Sequence, residues 1–159
     1  MAVARQKEDP GSKTRTIVSS CTSGVRCNIS APGGHVIVTD EPTERGGGDT
    51  AAPPLMNFTA SLAACQTVQI VKVAEAMRFK HGAINITAST TTDLVEGVEG
   101  NKPVMRFVAA EMIIDIETDE PPARLERLRN LSEDRCPVGN LFSDAGYEPT
   151  STWNALPLE

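Results

Sequence analysis

One segment of the sequence is apolar on almost every side of the helix that it predicts. Between residues 55 and 79, apolar and small residues recur at steps of three and four, which is the spacing of one helical face. The recurring positions are Met56, Ala60, Ala63, Thr67, Ile70, Ala74 and Met77, and the other sides of the first half carry Phe58, Leu62, Ala64 and Cys65. A helix that lacks a polar face lies inside protein. We therefore expect a central helix around which the rest of the chain, or a partner, is packed.

Short β-prone runs lie on both sides of this helix. Residues 14–21, 24–30 and 35–39 come before it, with a turn at Pro32-Gly33-Gly34, and a polar, glycine-rich loop follows at 40–54. After the helix, residues 84–89 and 106–117 alternate apolar and polar side chains, as a half-buried antiparallel hairpin requires. A helix that begins at Pro121-Pro122 and ends at Arg135-Cys136-Pro137, a short helix at 138–145 and a strand at 150–156 complete the pattern. The order β-β-β-α-β-β-α-α-β predicts an α+β fold. We expect a single domain over residues 14–157 after a flexible lead-in at 1–13.

The overall charge excludes several classes of partner. The 159 residues carry a net charge of -6, and 4% of them are aromatic. Binding to nucleic acid or to an anionic membrane needs clustered Lys and Arg, so we predict neither partner. The sequence has no apolar run long enough for a transmembrane helix, and residues 1–13 lack the apolar core of a secretory signal. We expect a cytoplasmic location.

The four cysteines do not form a metal-binding pattern. Cys21, Cys27, Cys65 and Cys136 stand at unrelated spacings, and the two histidines, His35 and His81, are far apart in sequence. Zinc sites use clustered ligands, and the glycine-rich loop carries no nucleotide-binding signature. We predict no metal and no cofactor. Cys21 and Cys27, on neighbouring β-prone runs, are expected to be structural, and pairing between them stays open.

Cys65 and Cys136 stand in positions that suit thiol chemistry. Cys65 lies in the middle of the apolar helix, where a cysteine either fills space in the core or is a reactive thiol. Cys136 precedes Pro137 at a break between helices, so we expect its sulfur at a helix N-terminus, where the dipole and Arg135 would stabilise a thiolate. The alternative is a cysteine that only caps a helix. If the fold brings the two together, Cys65 can attack an oxidant and Cys136 can close a disulfide on it.

Two blocks of the sequence resemble one protein family. Residues 54–65 read Pro-Leu-Met-Asn-Phe-Thr-Ala-Ser-Leu-Ala-Ala-Cys and are similar to the central-helix motif of the OsmC/Ohr family, the osmotically inducible and organic-hydroperoxide-resistance proteins. Arg135-Cys136-Pro137-Val138 resembles the family's second signature, Cys-Pro-Val, which lies between two late helices. With the order of elements, the resemblance extends over residues 14–156.

The resemblance implies a fold, an assembly and an activity. It implies an OsmC-like fold, an intertwined homodimer with a long central helix from each chain, and a thiol-dependent peroxidase of oxidative stress defence. Cys65 matches the peroxidatic cysteine and Cys136 matches the resolving one, with an organic hydroperoxide as substrate and an external dithiol as reductant. Arg45 matches the arginine of the OsmC branch, which lowers the pKa of the thiolate and orients the peroxide. Arg26 is the alternative, because the Ohr branch carries its arginine earlier in the chain.

One part of the family pattern is missing here. The family usually holds its arginine with a glutamate, at positions that are Leu55 and Met56 in this sequence. Glu44 or Asp49 could take that role. Because an arginine without a carboxylate would be mobile, the alternative function is a catalytically weakened OsmC-like dimer that binds a small apolar or thiol-reactive ligand. A third interpretation is an interaction module whose cysteines are inert.

Overall fold

The computed structural model describes residues 12–100 and 102–158, and most of the lead-in at 1–13 lies outside them. The described chain divides into two compact units, of which the first ends at Pro54 and the second begins at Leu55. The elements follow the order predicted from the sequence, three strands, a helix, two strands, two helices and a strand.

The first unit is a small antiparallel sheet followed by a loop. Its strands are β1 (Val18–Ser20), β2 (Cys27–Ser30) and β3 (Val36–Thr39), in the order β1-β2-β3. A 3₁₀ turn at Pro32–Gly34 joins β2 to β3, and Gly33 and Gly34 both have positive φ there, a conformation that glycine adopts without steric cost. The predicted meander is confirmed, although each strand is shorter than its β-prone run. A second 3₁₀ turn, Thr43–Arg45, lies in the glycine-rich loop.

The second unit is a helix layer on a three-stranded sheet. Its elements are α1 (Pro54–Met77), β4 (Ile84–Val95), β5 (Val104–Glu117), α2 (Pro122–Asp134), α3 (Pro137–Asp144) and β6 (Thr150–Leu156). β4 and β5 are antiparallel, and β6 lies parallel to β5 on its other side. β4 continues beyond the predicted residues 84–89 through a threonine-rich run, and a bulge between Thr91 and Thr92 keeps it paired with β5.

The inward faces of these elements form one aliphatic core. Alternate residues of β5 are buried, as the sequence pattern predicts, while Glu111 on the other face is exposed. The buried set is Ala110, Met112, Ile114 and Ile116 from β5, Leu62, Ile70, Val73 and Ala74 from α1, Leu128 from α2 and Phe142 from α3. Burial of apolar area of this kind is the main favourable term in folding.

Among the described residues, helix α1 is buried along one face. Its buried residues are Leu62, Gln66, Ile70, Val73 and Ala74. Met56 is 60% exposed and Ala60 is exposed as well, although the sequence pattern placed both on the core stripe. In the described part of the chain, the first turns of the helix therefore carry exposed apolar side chains.

The end of α1 is fixed by the start of α2. Arg78 has a φ of 51° and ends the helix, and the Phe79 N–H donates back to the Ala74 carbonyl at 2.8 Å. The Arg124 guanidinium donates to the carbonyls of Met77 and Arg78, which satisfies acceptors that a helix end leaves free. This contact sets where α2 crosses the helix layer and thus where its far end lies.

Within residues 12–100 and 102–158, no helix combines the length and the apolar character that a membrane span requires.

Candidate active site

Cys136 occupies the junction between the two late helices. It is the N-cap of α3, its Sγ accepts a hydrogen bond from the Gly139 N–H at 3.4 Å, and Pro137 takes the first helical position. Its side chain is 1% exposed. The predicted position at a helix N-terminus is therefore found.

The Cys65 side chain lies beside Cys136. The two side chains are close enough to interact, since Cys65 is one of the groups that raise the pKa of the Cys136 thiol. Cys65 is half-buried, in the middle of α1, and neither cysteine is in a disulfide. Helices α1 and α3 thus bring together two thiols that are distant in sequence.

The expected thiolate at Cys136 is not what the structure favours. The pKa of the Cys136 thiol is raised from 9.0 to about 11, mainly because the sulfur is buried and also because it interacts with Cys65. The Gly139 and Val138 N–H groups lower the pKa, as a helix N-terminus should, but by less than burial raises it. The prediction of a stabilised thiolate is wrong, because the helix dipole was weighed without the loss of solvent around the sulfur. At neutral pH the Cys136 thiol is protonated.

A buried polar residue, missed in the sequence, stands next to Cys65. The Gln66 side chain is fully buried, and its Nε2 donates to the Ser132 Oγ of α2 at 3.2 Å. Ser132 in turn donates to the Arg129 carbonyl. Gln66 Oε1 has no hydrogen-bond partner among the described residues, a state that costs about 1–3 kcal/mol when the group is buried. The sequence did contain a signal for this residue, since a glutamine among alanines and valines in the most apolar helix is unusual.

A cavity of about 380 Å³ reaches Cys136 from the side of α2, α3 and β6. Gln66, Met112, Cys136 and Gly139 line it together with Asn130, Glu133, Asp134, Asn140, Ser143, Glu148, Pro149 and Ser151. Glu133 is held in place on this wall by hydrogen bonds from Ser151 Oγ and from Trp153 Nε1 and by an ion pair with Arg129. Trp153 thus helps to position a carboxylate on the cavity wall. The lining is polar and partly acidic, and it holds no Lys or Arg.

Arg26 is anchored within the first unit through a buried aspartate. Its Nε donates to Thr50 Oγ1 at 3.0 Å, and its Nη1 donates to Asn28 Oδ1 at 3.2 Å. Thr50 Oγ1 donates onward to Asp40 Oδ2 at 2.7 Å, and the same oxygen accepts from the N–H groups of Gly48 and Thr50. The hydrogen bond from the Thr50 hydroxyl holds the pKa of the Asp40 carboxyl below its usual value of 3.8, against the effect of burial. Sequence reasoning treated residues 40–54 as a plain loop and missed this network, although Asp near glycines is typical of a side chain that organises a turn.

Arg45 is held more loosely. Its Nη1 lies 3.7 Å from Glu41 Oε2 in an ion pair, and its side chain is 67% exposed. The suggested partners make other contacts, since Glu44 accepts from the Thr43 hydroxyl and the Asp49 N–H donates to the Glu41 carbonyl. Both candidate arginines belong to the first unit and both cysteines belong to the second.

The chain is similar in sequence and in fold to one group of proteins. The family model of the OsmC-like proteins matches residues 46–150. No curated protein sequence matches the chain.

The solved structures with this fold include several relatives. An OsmC-like protein from Mycoplasma pneumoniae has a TM-score of 0.75 at 13% identity, over 91% of this chain and 98% of that chain. An organic hydroperoxide resistance protein from Elizabethkingia anophelis, with thiocyanate bound, has a TM-score of 0.68 at 19% identity, over 92% of this chain and 100% of that one. A protein from Vibrio cholerae O1, described as an organic hydroperoxide resistance protein with captopril bound in one of its active sites, has a TM-score of 0.66 at 19% identity, over 96% and 100%. At these identities the likeness shows the fold alone.

Proposed function

Because the chain belongs to the OsmC-like family, we propose that it is a thiol-dependent peroxidase that reduces organic hydroperoxides. The observation that carries this proposal is the contact between Cys65 and Cys136 at the meeting of α1 and α3. Two thiols in contact, one half-buried and one deeply buried, suit a pair in which one sulfur is oxidised and the other closes a disulfide on it. The proteins from Elizabethkingia anophelis and Vibrio cholerae that share this fold are named for organic hydroperoxide resistance, which supports the same activity.

The roles of the two cysteines follow from their surroundings. Cys65 is the more accessible sulfur, whereas Cys136 carries a thiol whose pKa burial raises to about 11. The thiolate, and not the thiol, is the nucleophile. We therefore assign the attack on the hydroperoxide to Cys65 and the resolving step to Cys136.

The reaction proceeds in three balanced steps. The Cys65 thiolate attacks the distal oxygen of ROOH, the O–O bond breaks, and the departing alkoxide takes a proton to leave as an alcohol, with Cys65 as a sulfenic acid. Cys136 then loses its proton and attacks the Cys65 sulfur as a thiolate, the S–O bond breaks, and the departing hydroxide takes up a proton and leaves as water. An external dithiol reduces the resulting disulfide to two thiols and is itself oxidised to a disulfide. The four free cysteines suit a reducing compartment such as the cytoplasm.

An arginine is proposed to favour the Cys65 thiolate and to orient the peroxide. Arg45 matches the OsmC-branch position, and Arg26 matches the Ohr branch. The contacts within the first unit favour Arg26, because two hydrogen bonds and the Asp40 carboxylate behind Thr50 fix its guanidinium. The carboxylate missing from the start of α1 is in this view replaced by Asp40, which acts through Thr50.

The exposed apolar face of α1 supports a homodimer. Leu55, Met56, Val68 and Val71 are each more than a third exposed, and Ile17, Val18, Val36 and Ile37 are exposed on the sheet of the first unit. Monomeric proteins rarely leave a large apolar surface uncovered, and a second copy of the chain would cover it. Light scattering on the purified chain is expected to give twice the mass of one chain, and a monomer mass at micromolar concentration would contradict the dimer.

The proposed activity is tested by following the consumption of cumene hydroperoxide with dithiothreitol as reductant. We expect turnover of the organic hydroperoxide and slower turnover of hydrogen peroxide, because proteins named for organic hydroperoxide resistance share this fold. The control is Cys65→Ser, which keeps the shape of the site and removes its nucleophile. Consumption no faster than in this control would overturn the peroxidase and leave the alternative, a dimer that binds a small apolar or thiol-reactive ligand.

A further inference from the structure

The other two cysteines lie at the end of a strand ladder, with Cys21 directly after β1 and Cys27 at the start of β2. β1 and β2 pair Val18 with Ser30, Ser19 with Ile29 and Ser20 with Asn28. In an antiparallel ladder each step forward on one strand is a step back on the other, so the same register continued by one residue sets Cys21 against Cys27. The chain between them, residues 22–26, is the loop that joins the two strands.

The two thiols also point at the same loop. Cys21 Sγ donates to the carbonyls of Ser23 and Gly24, at 3.6 and 3.3 Å. Cys27 Sγ donates to the Val25 carbonyl at 3.6 Å. Both sulfurs therefore contact backbone carbonyls of the same short loop. Gly24, with a φ of 64°, supplies the tight turn that keeps these carbonyls close together.

Residues that face each other across antiparallel strands meet the distance that a disulfide needs. Directly opposite Cα atoms are about 4.5–5.5 Å apart, and disulfides span Cα distances of about 4.4–6.8 Å. Both thiols are free, Cys21 is exposed and Cys27 is half-buried, so a small reagent can reach the pair.

We propose that Cys21 and Cys27 form a second, reversible redox pair, which is oxidised by low-molecular-weight disulfides and exchanges no thiol with the Cys65–Cys136 pair. The Cys21 thiolate attacks a disulfide RS–SR, which breaks the S–S bond, releases one RS⁻ and leaves a mixed disulfide on Cys21. The Cys27 thiolate then displaces the second RS⁻ and closes the protein disulfide. The two protein thiols lose two electrons in total, and RS–SR is reduced to two thiols. Exposed disulfides of this kind are the labile, regulatory ones.

Oxidation of this pair would act on the loop that carries Arg26. The cross-link joins the residues at both ends of 22–26 and restricts the backbone from which the Arg26 guanidinium reaches Thr50 and Asn28. The oxidised pair would thus hold one of the two candidate arginines in a narrower range of positions.

Trypsin cleavage makes the cross-link directly visible. Trypsin cuts after Arg15, Arg26 and Arg45, so peptides 16–26 and 27–45 stay joined only if Cys21 and Cys27 are bonded. The wild-type chain is treated with oxidised glutathione, denatured, alkylated and digested without reductant. Protein that runs as a single chain on a non-reducing gel is taken for mass spectrometry, which excludes disulfides between two chains. We expect the joined peptides in its mass spectrum. Cys65 and Cys136 lie in other tryptic peptides, so the state of the peroxidase pair is read separately.

A control variant with one cysteine moved along its strand distinguishes a pair that the fold positions from two cysteines that react independently. Cys21→Ser combined with Ser20→Cys moves the thiol by one residue, to the opposite face of β1. Its equilibrium constant for disulfide formation with Cys27, measured in glutathione redox buffers, is expected to be at least about tenfold smaller than in the wild type, because the sulfurs then point apart. Glutathione attached separately to Cys21 and to Cys27 would overturn the proposal, as would unreacted thiols or equal constants for the two chains.

Discussion

Replacement of Cys136 by serine is expected to lower steady-state turnover of cumene hydroperoxide by at least about a hundredfold, since the two sulfurs act as one unit. The first step is expected to survive, with one equivalent of alcohol formed per chain. Serine has nearly the volume of cysteine, and its Oγ can accept the hydrogen bond that Gly139 N–H gives to the Cys136 sulfur. The fold of the junction should therefore be kept. A hydroxyl cannot displace water from a sulfenic acid to form a disulfide, so Cys65 stays oxidised.

The measurement is a rapid-quench experiment with excess hydroperoxide and with dimedone added to trap the sulfenic acid. A burst of one alcohol per chain and a dimedone adduct on the peptide that contains Cys65 are expected in Cys136→Ser. The Cys65→Ser variant should give neither. Cys21→Ser, which removes an exposed thiol outside the pair, should keep full turnover. Wild-type turnover in Cys136→Ser would contradict a resolving role for Cys136.

The elements of the fold were predictable where a local pattern determines them. β5 alternates buried and exposed side chains from Ala110 to Ile116, and a period of two leaves no other structure for such a segment. The break between α2 and α3 was also local, because Pro137 both ends one helix and starts the next. The pairing of the strands could not be predicted in this way. Nothing in the sequence of β6 indicates that it lies parallel to β5, since that pairing depends on the path that α2 and α3 take between the two strands.

The site was less predictable than the fold, because its chemistry depends on burial. The Cys-Pro sequence located Cys136 at a helix N-terminus but gave no measure of how much water surrounds its sulfur, and burial determines the direction in which the pKa of that thiol moves. Asp40 is a similar case. Its carboxylate accepts hydrogen bonds from Glu41, Gly48 and Thr50 only because the loop folds back on itself. The missing glutamate at Leu55 and Met56 was visible in the sequence, whereas the chain of contacts from Arg26 through Thr50 to Asp40 was visible only in three dimensions.

The helix that carries Cys136 is held to the core by one aromatic side chain, and its loss is expected to be the most costly change of stability. Phe142 lies in α3, more than one helical turn after the N-cap Cys136, and is 4% exposed. Its ring centroid is 5.8 Å from that of Phe58 at the start of α1 and 5.8 Å from that of Phe107 in β5. Phe58 and Phe107 are 4.9 Å apart, so the three rings form one cluster that joins α1, β5 and α3. Aromatic pairs at these distances add about 0.5–1.5 kcal/mol to the free energy of burial.

Phe142→Ala is expected to lower the free energy of unfolding by about 3–5 kcal/mol, because the cavity left between three elements cannot collapse without moving one of them. That loss is a large part of the 5–15 kcal/mol (roughly) by which a domain is stable. The free energy is measured by urea unfolding at one fixed protein concentration, since assembly would make stability depend on concentration. Leu141→Ala, on the exposed side of the same helix, is the matched control and should cost no more than about 0.5 kcal/mol. The loss in Phe142→Leu should fall between the losses in the two alanine variants.

The alanine substitution at Phe142 also removes the anchor of α3. The Cys136 thiol of Phe142→Ala should therefore become accessible to alkylating reagents while the protein is still folded. Equal losses at Phe142 and Leu141 would contradict the assignment of Phe142 as the contact that seats Cys136 beside Cys65.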